Sequence, residues 1–196
     1  GLVSNQEREN LFLTVGRLGA YQKGTDLLLE AFAKSSKSHD WKLKLIGTIE
    51  PDFKKVIDDF YIKYPDMKSR VIFTGPINDR EQLYLEYYRA KVFVMPSRWE
   101  SFGIAAAEAL SCGCYLILSN SIPPAVEMTN YEKYGSLVES EKVDSLVQSF
   151  INASQKEYCN DEINETINYA NNLFSWERIC KKLYIEMGKI DKKGDN

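Results

Sequence analysis

The sequence predicts a doubly wound α/β fold, a parallel sheet with helices on both faces. Three observations carry that expectation. Short segments such as Leu11-Phe12-Leu13-Thr14-Val15 are apolar without polar alternation, which suits strands covered on both faces. Most of these segments end at Gly or Pro, the residues that open loops. Between them lie amphipathic stretches long enough to make the crossovers that parallel strands need, and right-handed crossovers leave few other topologies.

The elements follow in order. Residues 11–15 form the first strand, stopped at Gly16. After a loop containing Gly19 and Gly24, Thr25 or Asp26 caps a helix with Leu27, Leu28, Ala31 and Phe32 on one face. Residues 43–46 make the second strand before Gly47, residues 51–64 a helix, and residues 71–73 the third strand before Gly75. Asn78 and Glu81 have capping-box spacing and open a third helix that carries Leu83 and Tyr87. Residues 92–95 are a strand ended by Pro96, residues 102–111 a helix ended by Gly113, and residues 115–118 the fifth strand. A short sixth strand at 136–138 precedes helices at 143–154, 161–172 and 175–188. The result is one Rossmann-like domain, with ligands expected at the carboxyl ends of the strands.

Composition narrows the function classes. The 196 residues carry 25 Lys and Arg against 28 Asp and Glu, a net charge of −3, which argues against a nucleic-acid-binding surface. With 44% apolar and 12% aromatic residues the chain is of globular type, and its length fits one domain of roughly 100–200 residues. Its apolar runs fall far short of the roughly 18 residues of a membrane span. The N-terminus lacks the basic and apolar regions of a secretory signal. Residues 1–10 read as a polar lead-in or linker, 11–188 as the domain and 189–196 as a polar tail. The absence of an initial Met makes the chain an expected cut from a longer protein. Cys112 and Cys114 are one residue apart, a spacing that fits no common zinc site, and with Cys159 and Cys180 they are expected to be reduced, in a cytoplasmic setting.

Two loops hold chemistry. Gly16-Arg17-Leu18-Gly19-Ala20-Tyr21-Gln22-Lys23-Gly24 sets two cations where glycine backbone lets an anion approach, an arrangement suited to a diphosphate. Two solvated surface cations are the alternative. In the loop after the fourth strand, Glu100 precedes a helix and Glu108 lies about two turns inside it. Glu108 sits among alanines, either on the wet face or aimed into the cleft, and periodicity alone does not decide. The N–H groups of Phe102, Gly103 and Ile104 at the helix start form an anion site of their own. His39, in the polar segment Ser38-His39-Asp40, reads as a surface residue without a catalytic partner.

Val15-Gly16-Arg17-Leu18, Lys23-Gly24, and Glu100-Ser101-Phe102-Gly103-Ile104 through Glu108-Ala109-Leu110 resemble family 4 retaining glycosyltransferases of the GT-B fold. Phe73-Thr74-Gly75-Pro76-Ile77, Val92-Phe93-Val94-Met95-Pro96-Ser97, Gly135-Ser136-Leu137-Val138 and Phe174-Ser175-Trp176 extend the resemblance in the right order along nearly the whole chain. It implies that the chain is the C-terminal, donor-binding half of such an enzyme. Arg17, Lys23 and Glu100 are then its catalytic residues, with the two cations on the diphosphate of a UDP- or GDP-linked sugar and Glu100 at the sugar end. Glu108 accepts hydrogen bonds from the ribose hydroxyls, Ile77 lies beside the base, and Gly16 lets the backbone approach the phosphates. Ser101 and the N–H groups of Phe102, Gly103 and Ile104 complete the donor site.

By the same resemblance no cofactor or metal is needed, and no Asp-x-Asp motif is present. The partners are the nucleotide-sugar donor and the missing N-terminal acceptor half, through which alone a membrane is touched; the full protein is expected in the cytoplasm, peripheral to the inner face of the membrane. The helix with Trp176 is expected to cross back to that half. The fragment alone is expected to be inactive in transfer to a glycan or lipid-linked acceptor. One departure concerns Ser121-Ile122-Pro123-Pro124-Ala125-Val126-Glu127, where family members often carry Gly-x-Pro-Glu; no role is given to Glu127. A non-catalytic nucleotide-binding or regulatory module on the same fold is the alternative. A dehydrogenase predicts Gly-x-Gly-x-x-Gly after the first strand, which Gly16-x-x-Gly19 lacks, although Glu50 ends the second strand's loop as that reading needs.

Overall fold

A computed structural model describes residues 7–175 and 177–181. Six strands, β1 (Glu9–Val15), β2 (Lys42–Ile46), β3 (Val71–Gly75), β4 (Ala90–Met95), β5 (Tyr115–Ser119) and β6 (Gly135–Val138), form one sheet in the order β3-β2-β1-β4-β5-β6. Every pairing is parallel. The helices are α1 (Thr25–Ser35), α2 (Phe53–Lys63), α3 (Arg80–Arg89), α4 (Ile104–Ser111), α5 (Ala125–Met128), α6 (Val143–Gln155) and α7 (Asn160–Leu173). From β1 the chain moves outward to β3; it then returns through α3 to β4, beside β1, and moves outward the other way. The loops leaving β1 and β4 therefore diverge, and the crevice between them is where doubly wound sheets bind ligands.

The expected fold class is the observed one. Alternate residues of each strand feed opposite cores, as the two-residue period of a strand requires. Phe12, Leu43, Leu45, Val92, Val94 and Ile117 pack on one side with Leu28, Phe32, Phe60 and Phe150 of α1, α2 and α6. Leu11, Leu13, Phe93, Met95, Leu116 and Leu118 pack on the other with Tyr87, Ala106, Ala109, Leu110 and Ala170 of α3, α4 and α7. Lys44, the charged residue inside β2, is neutralised by Glu86 of α3 at 2.6 Å, both side chains being only 14% exposed.

The structure corrects several local expectations. Asp79, not Asn78, caps α3, its Oδ1 accepting from the N–H groups of Glu81 at 2.8 Å and Gln82 at 3.2 Å. Neither Thr25 nor Asp26 caps α1. Left-handed Gly24 holds that position, and the Thr25 hydroxyl instead accepts from the Gly19 N–H at 3.0 Å. Helix α4 starts at Ile104 rather than at Phe102, after Gly103. The lead-in ends sooner than expected, since Glu9 and Asn10 belong to β1 and Arg8 donates to the Ala90 carbonyl at 2.7 Å. The single turn α5 was not expected. Of the helix expected at 175–188, residues 177–181 are helical. Trp176, residues 182–188 and the tail lie outside the described residues. Among the described residues no helix is long and apolar enough to cross a membrane.

The four cysteines are free thiols. Cys112 and Cys114 are buried, which pushes their pKa values up to about 12 and about 11.

His39 is not a surface residue. Its ring lies 5.5 Å from that of Phe12 and 5.6 Å from that of Phe32, with Nε2 at 3.1 Å from the Ser35 hydroxyl and Nδ1 at 3.0 Å from the Arg70 guanidinium. Burial, with the Arg70 charge adding to it, lowers its pKa from 6.5 to about 4. Between those two values the unfolded chain takes up a proton that the folded chain refuses. The stability that neutral His39 contributes is therefore complete above pH 6.5 and is lost as pH falls towards 4. After allowance for solvent screening the loss is about 2 kcal/mol. Thermal unfolding of the native chain should show this extra drop in Tm between pH 7 and 4, and His39→Gln should lack it.

Candidate functional site

The loop after β1 is held against the loop after β2. The Leu18 N–H donates to the Thr48 carbonyl and the Glu50 N–H to the Leu18 carbonyl, both at 2.8 Å, so the strand pairing continues past the sheet edge. The approach is so close that a Cβ at Gly47 would stand 1.7 Å from the Gly16 carbonyl oxygen. Only glycine fits there. Beyond Leu18 the loop makes a short 3-10 turn over Tyr21–Lys23, closed by Gly24. This turn points Lys23 back across Gly16 into a cleft lined also by Thr14, Thr25, Met95 and Ser97.

The loop after β4 supplies the opposite wall. The Lys23 ammonium donates to Glu100 Oε1, which also accepts from the Ser97 hydroxyl at 3.1 Å. Both members of this pair are largely sheltered, with side chains 25% and 10% exposed. An ammonium has three donors. One is committed to Glu100, and the others remain for an anion in the cleft. Gly103, at φ 86°, turns the chain sharply into α4, whose first N–H groups have no helical acceptors and carry the positive end of the helix dipole. The site thus combines a glycine-rich approach, a sheltered cation, a hydrogen-bonded carboxylate and a helix N-terminus at the crevice between β1 and β4.

Of the remaining sequence-derived residues, Arg17 lines this same cleft, and the others lie outside its lining. Arg17 lies on the rim, its side chain 66% exposed and its guanidinium 3.7 Å from Glu50. Ser101, Phe102 and Ile104 are exposed at the mouth, Ile104 by 70%. Glu108 lies on the flank of α4 that faces α3, not among the residues around Lys23. Its Oε2 accepts from the Tyr87 hydroxyl at 3.1 Å, and its Oε1 is 3.6 Å from Arg80. Burial, and then the Glu108 charge, raise the Tyr87 pKa well above the ordinary tyrosine range, so the hydroxyl stays a donor. Ile77 is half-buried against the core between α3, α4 and the sheet. The Ser121 loop, left without a role in the sequence, braces the site: the Ser121 hydroxyl donates to the Ser97 carbonyl at 2.9 Å.

Sequence reasoning alone does not single out Arg98. Its Nε donates to Glu141 at 3.0 Å, Nη1 to the Tyr21 carbonyl at 2.6 Å and to Asp26 Oδ1 at 3.0 Å, and Nη2 to Asp26 Oδ2 at 2.7 Å. The bonds to Asp26 push the guanidinium pKa further above its ordinary range. Its one signal is an Arg directly after Pro-Ser at a strand end, and nothing in the sequence names partners so distant.

The family model described as glycosyl transferases group 1 matches residues 3–172. An uncharacterized glycosyltransferase of Methanocaldococcus jannaschii is 30% identical over 181 residues, 90% of this chain and 44% of that protein. The sucrose-phosphate synthase of Thermosynechococcus elongatus is similar in structure, with a TM-score of 0.70 at 26% identity over 98% of this chain and 46% of that one. The pneumococcal O-GlcNAc transferase GtfA, solved in complex with UDP and GlcNAc, shares the fold with a TM-score of 0.74 at 19% identity, over 95% of this chain and 37% of that one. The chain spans less than half the length of each of these three proteins.

Proposed function

The chain belongs to the glycosyl transferases group 1 family, and from that premise we propose that it is the donor-binding half of a retaining glycosyltransferase. The whole protein transfers a sugar from a UDP- or GDP-linked donor to a glycan or lipid-linked acceptor held by an N-terminal half. One observation carries the reading: Lys23, paired with Glu100, and the N-terminus of α4 converge at the crevice where the loops after β1 and β4 diverge. UDP in the structure of the pneumococcal transferase supports a nucleoside diphosphate as the ligand class.

In this reading the diphosphate lies between Lys23 and the helix N-terminus, with Arg17 closing over it from the rim. When the bond to the sugar breaks, negative charge grows on the leaving diphosphate. Fixed donors aimed at that charge lower the barrier, because they bind the transition state more strongly than the ground state. Glu100 orients Lys23 and faces the sugar. Glu108, with one oxygen held by Tyr87, presents the other to the ribose hydroxyls, and Ile77 flanks the base. Phe102 and Ile104, exposed at the mouth, face the acceptor half. Without that half the chain binds donor and does not transfer efficiently, and the full protein works in the cytoplasm, peripheral to the membrane.

Proton NMR of the glycosidic product made by the full protein tests the stereochemistry. An α-linked donor should give an α-linked product. A β-linked product contradicts retention and leaves donor binding standing.

A further inference from the structure

We propose that Arg98 is a positioning residue for the donor site. Its guanidinium ties the loop after β1 to the loop after β4, and so fixes the Lys23 ammonium relative to the N-terminus of α4. The inference rests on the reading of these loops as the diphosphate site. It goes beyond that reading because the hydrogen-bond partners of the Arg98 side chain, Tyr21, Asp26 and Glu141, are not among the residues assigned to the donor.

Four of the five guanidinium N–H donors are used, on partners from three segments: Tyr21 in the loop after β1, Asp26 in the first turn of α1, and Glu141 between β6 and α6. The guanidinium also lies over the Tyr21 ring, 4.0 Å from its centroid. Although it belongs to a loop, the side chain is only 9% exposed. The backbone repeats the connection. The Arg98 N–H donates to the Gln22 carbonyl at 2.8 Å, and the Gln22 side-chain amide donates to the Trp99 carbonyl at 3.0 Å.

These contacts bracket the catalytic pair. Gln22 precedes Lys23, and Glu100 follows Trp99, so each half of the Lys23–Glu100 contact is anchored through its chain neighbours. The ion-pair partners are half-exposed, Asp26 by 46% and Glu141 by 58%, and such pairs contribute little to global stability. What the fork supplies is geometry. A planar guanidinium satisfies a bidentate carboxylate, a carbonyl and a second carboxylate at once, whereas lysine offers one point charge.

The test is calorimetric titration of the chain with UDP and with GDP, alongside thermal unfolding, for Arg98→Ala, Arg98→Lys, Asp26→Asn and the double variant of Arg98→Ala with Asp26→Asn. Arg70→Ala serves as the control for stability. It removes hydrogen bonds to Ser36, His39 and Trp41, before β2 and at the opposite end of the sheet. Arg98→Ala should raise the Kd of the bound diphosphate about tenfold, since small misplacements of binding groups are costly. Asp26→Asn should raise it less, and the double variant should be no worse than Arg98→Ala, because the two residues act as one unit. Arg98→Lys should remain impaired, and Arg70→Ala should lose Tm with Kd unchanged.

Unchanged Kd in folded Arg98→Ala and Asp26→Asn overturns the proposal, as does an equal rise in Arg70→Ala. If Arg98→Ala does not fold, Asp26→Asn alone decides. If the unmodified chain binds neither UDP nor GDP, the donor reading fails and the Arg98 role falls with it. Binding that the Arg98 and Asp26 variants leave intact removes the Arg98 role only.

Discussion

Lys23→Ala is expected to lower sugar transfer by the full protein about 10²–10³-fold, the usual cost of removing one fixed donor from a site where negative charge develops. Two effects add. On the proposed function the substitution removes the sheltered cation set against the diphosphate, and it leaves Glu100, a carboxylate only 10% exposed, without its cation and beside the incoming anion. The second effect makes a particular pattern. The double variant Lys23→Ala with Glu100→Gln should bind diphosphate better than Lys23→Ala alone, because the uncompensated negative charge is gone. Arg17→Ala should cost less than Lys23→Ala, since its guanidinium is 66% exposed and water screens it. Steady-state rates and calorimetric Kd values for the three variants check the order. Equal losses for Arg17→Ala and Lys23→Ala contradict the placement of Lys23 inside the cleft.

Phe12→Ala is expected to destabilise the domain by about 3–5 kcal/mol, the range for removing a large aromatic side chain from a packed core. Phe12 is fully buried on β1. Its ring meets Phe150 edge-on with centroids 4.6 Å apart, lies 4.7 Å from Trp41 and 6.2 Å from Phe32, and so joins β1 to α1, α6 and the turn before β2. The three rings are anchored on separate elements, which limits how far they can move into the space. A loss of this size is a large part of the stability of a typical domain, about 5–15 kcal/mol. Urea unfolding followed by fluorescence measures it, and Phe12→Leu, which keeps most of the volume, should lose much less.

The strands were legible because a parallel sheet covered on both faces leaves an unmistakable mark: Leu11 to Val15 and Val92 to Met95 have no wet side to record. The helix starts were less legible. Asn78 and Asp79 are adjacent and both able to cap, and only the backbone decides that Asp79 faces the free N–H groups. At α1 and α4 left-handed glycines, Gly24 and Gly103, hold the cap position and displace the start by one or two residues. His39 reads as a surface residue in the sequence because its polar neighbours, Ser38 and Asp40, say nothing of Phe12 and Phe32, which meet it in space.

For the site, residue types at the ends of β1 and β4 mark the two loops, and the roles proposed for their residues rest on the resemblance. What the sequence withheld was pairing across distance. Lys23 and Glu100 are 77 positions apart, and Arg98 and Asp26 are 72 apart. Each of these side chains alone looks like an ordinary surface charge, and only the sheet order that sets β1 beside β4 brings them together.

In the proposed function the crevice between β1 and β4 binds the diphosphate of a nucleotide donor. Calorimetric titration of this chain with UDP, GDP, ADP and NAD, repeated on Arg17→Ala, Lys23→Ala and Glu108→Ala, tests it most directly. One-to-one binding of UDP or GDP is expected, weakened by each substitution and most by Lys23→Ala, with no comparable binding of ADP or NAD. A folded chain that binds none of the diphosphates, or binds one as tightly after Lys23→Ala as before, contradicts it.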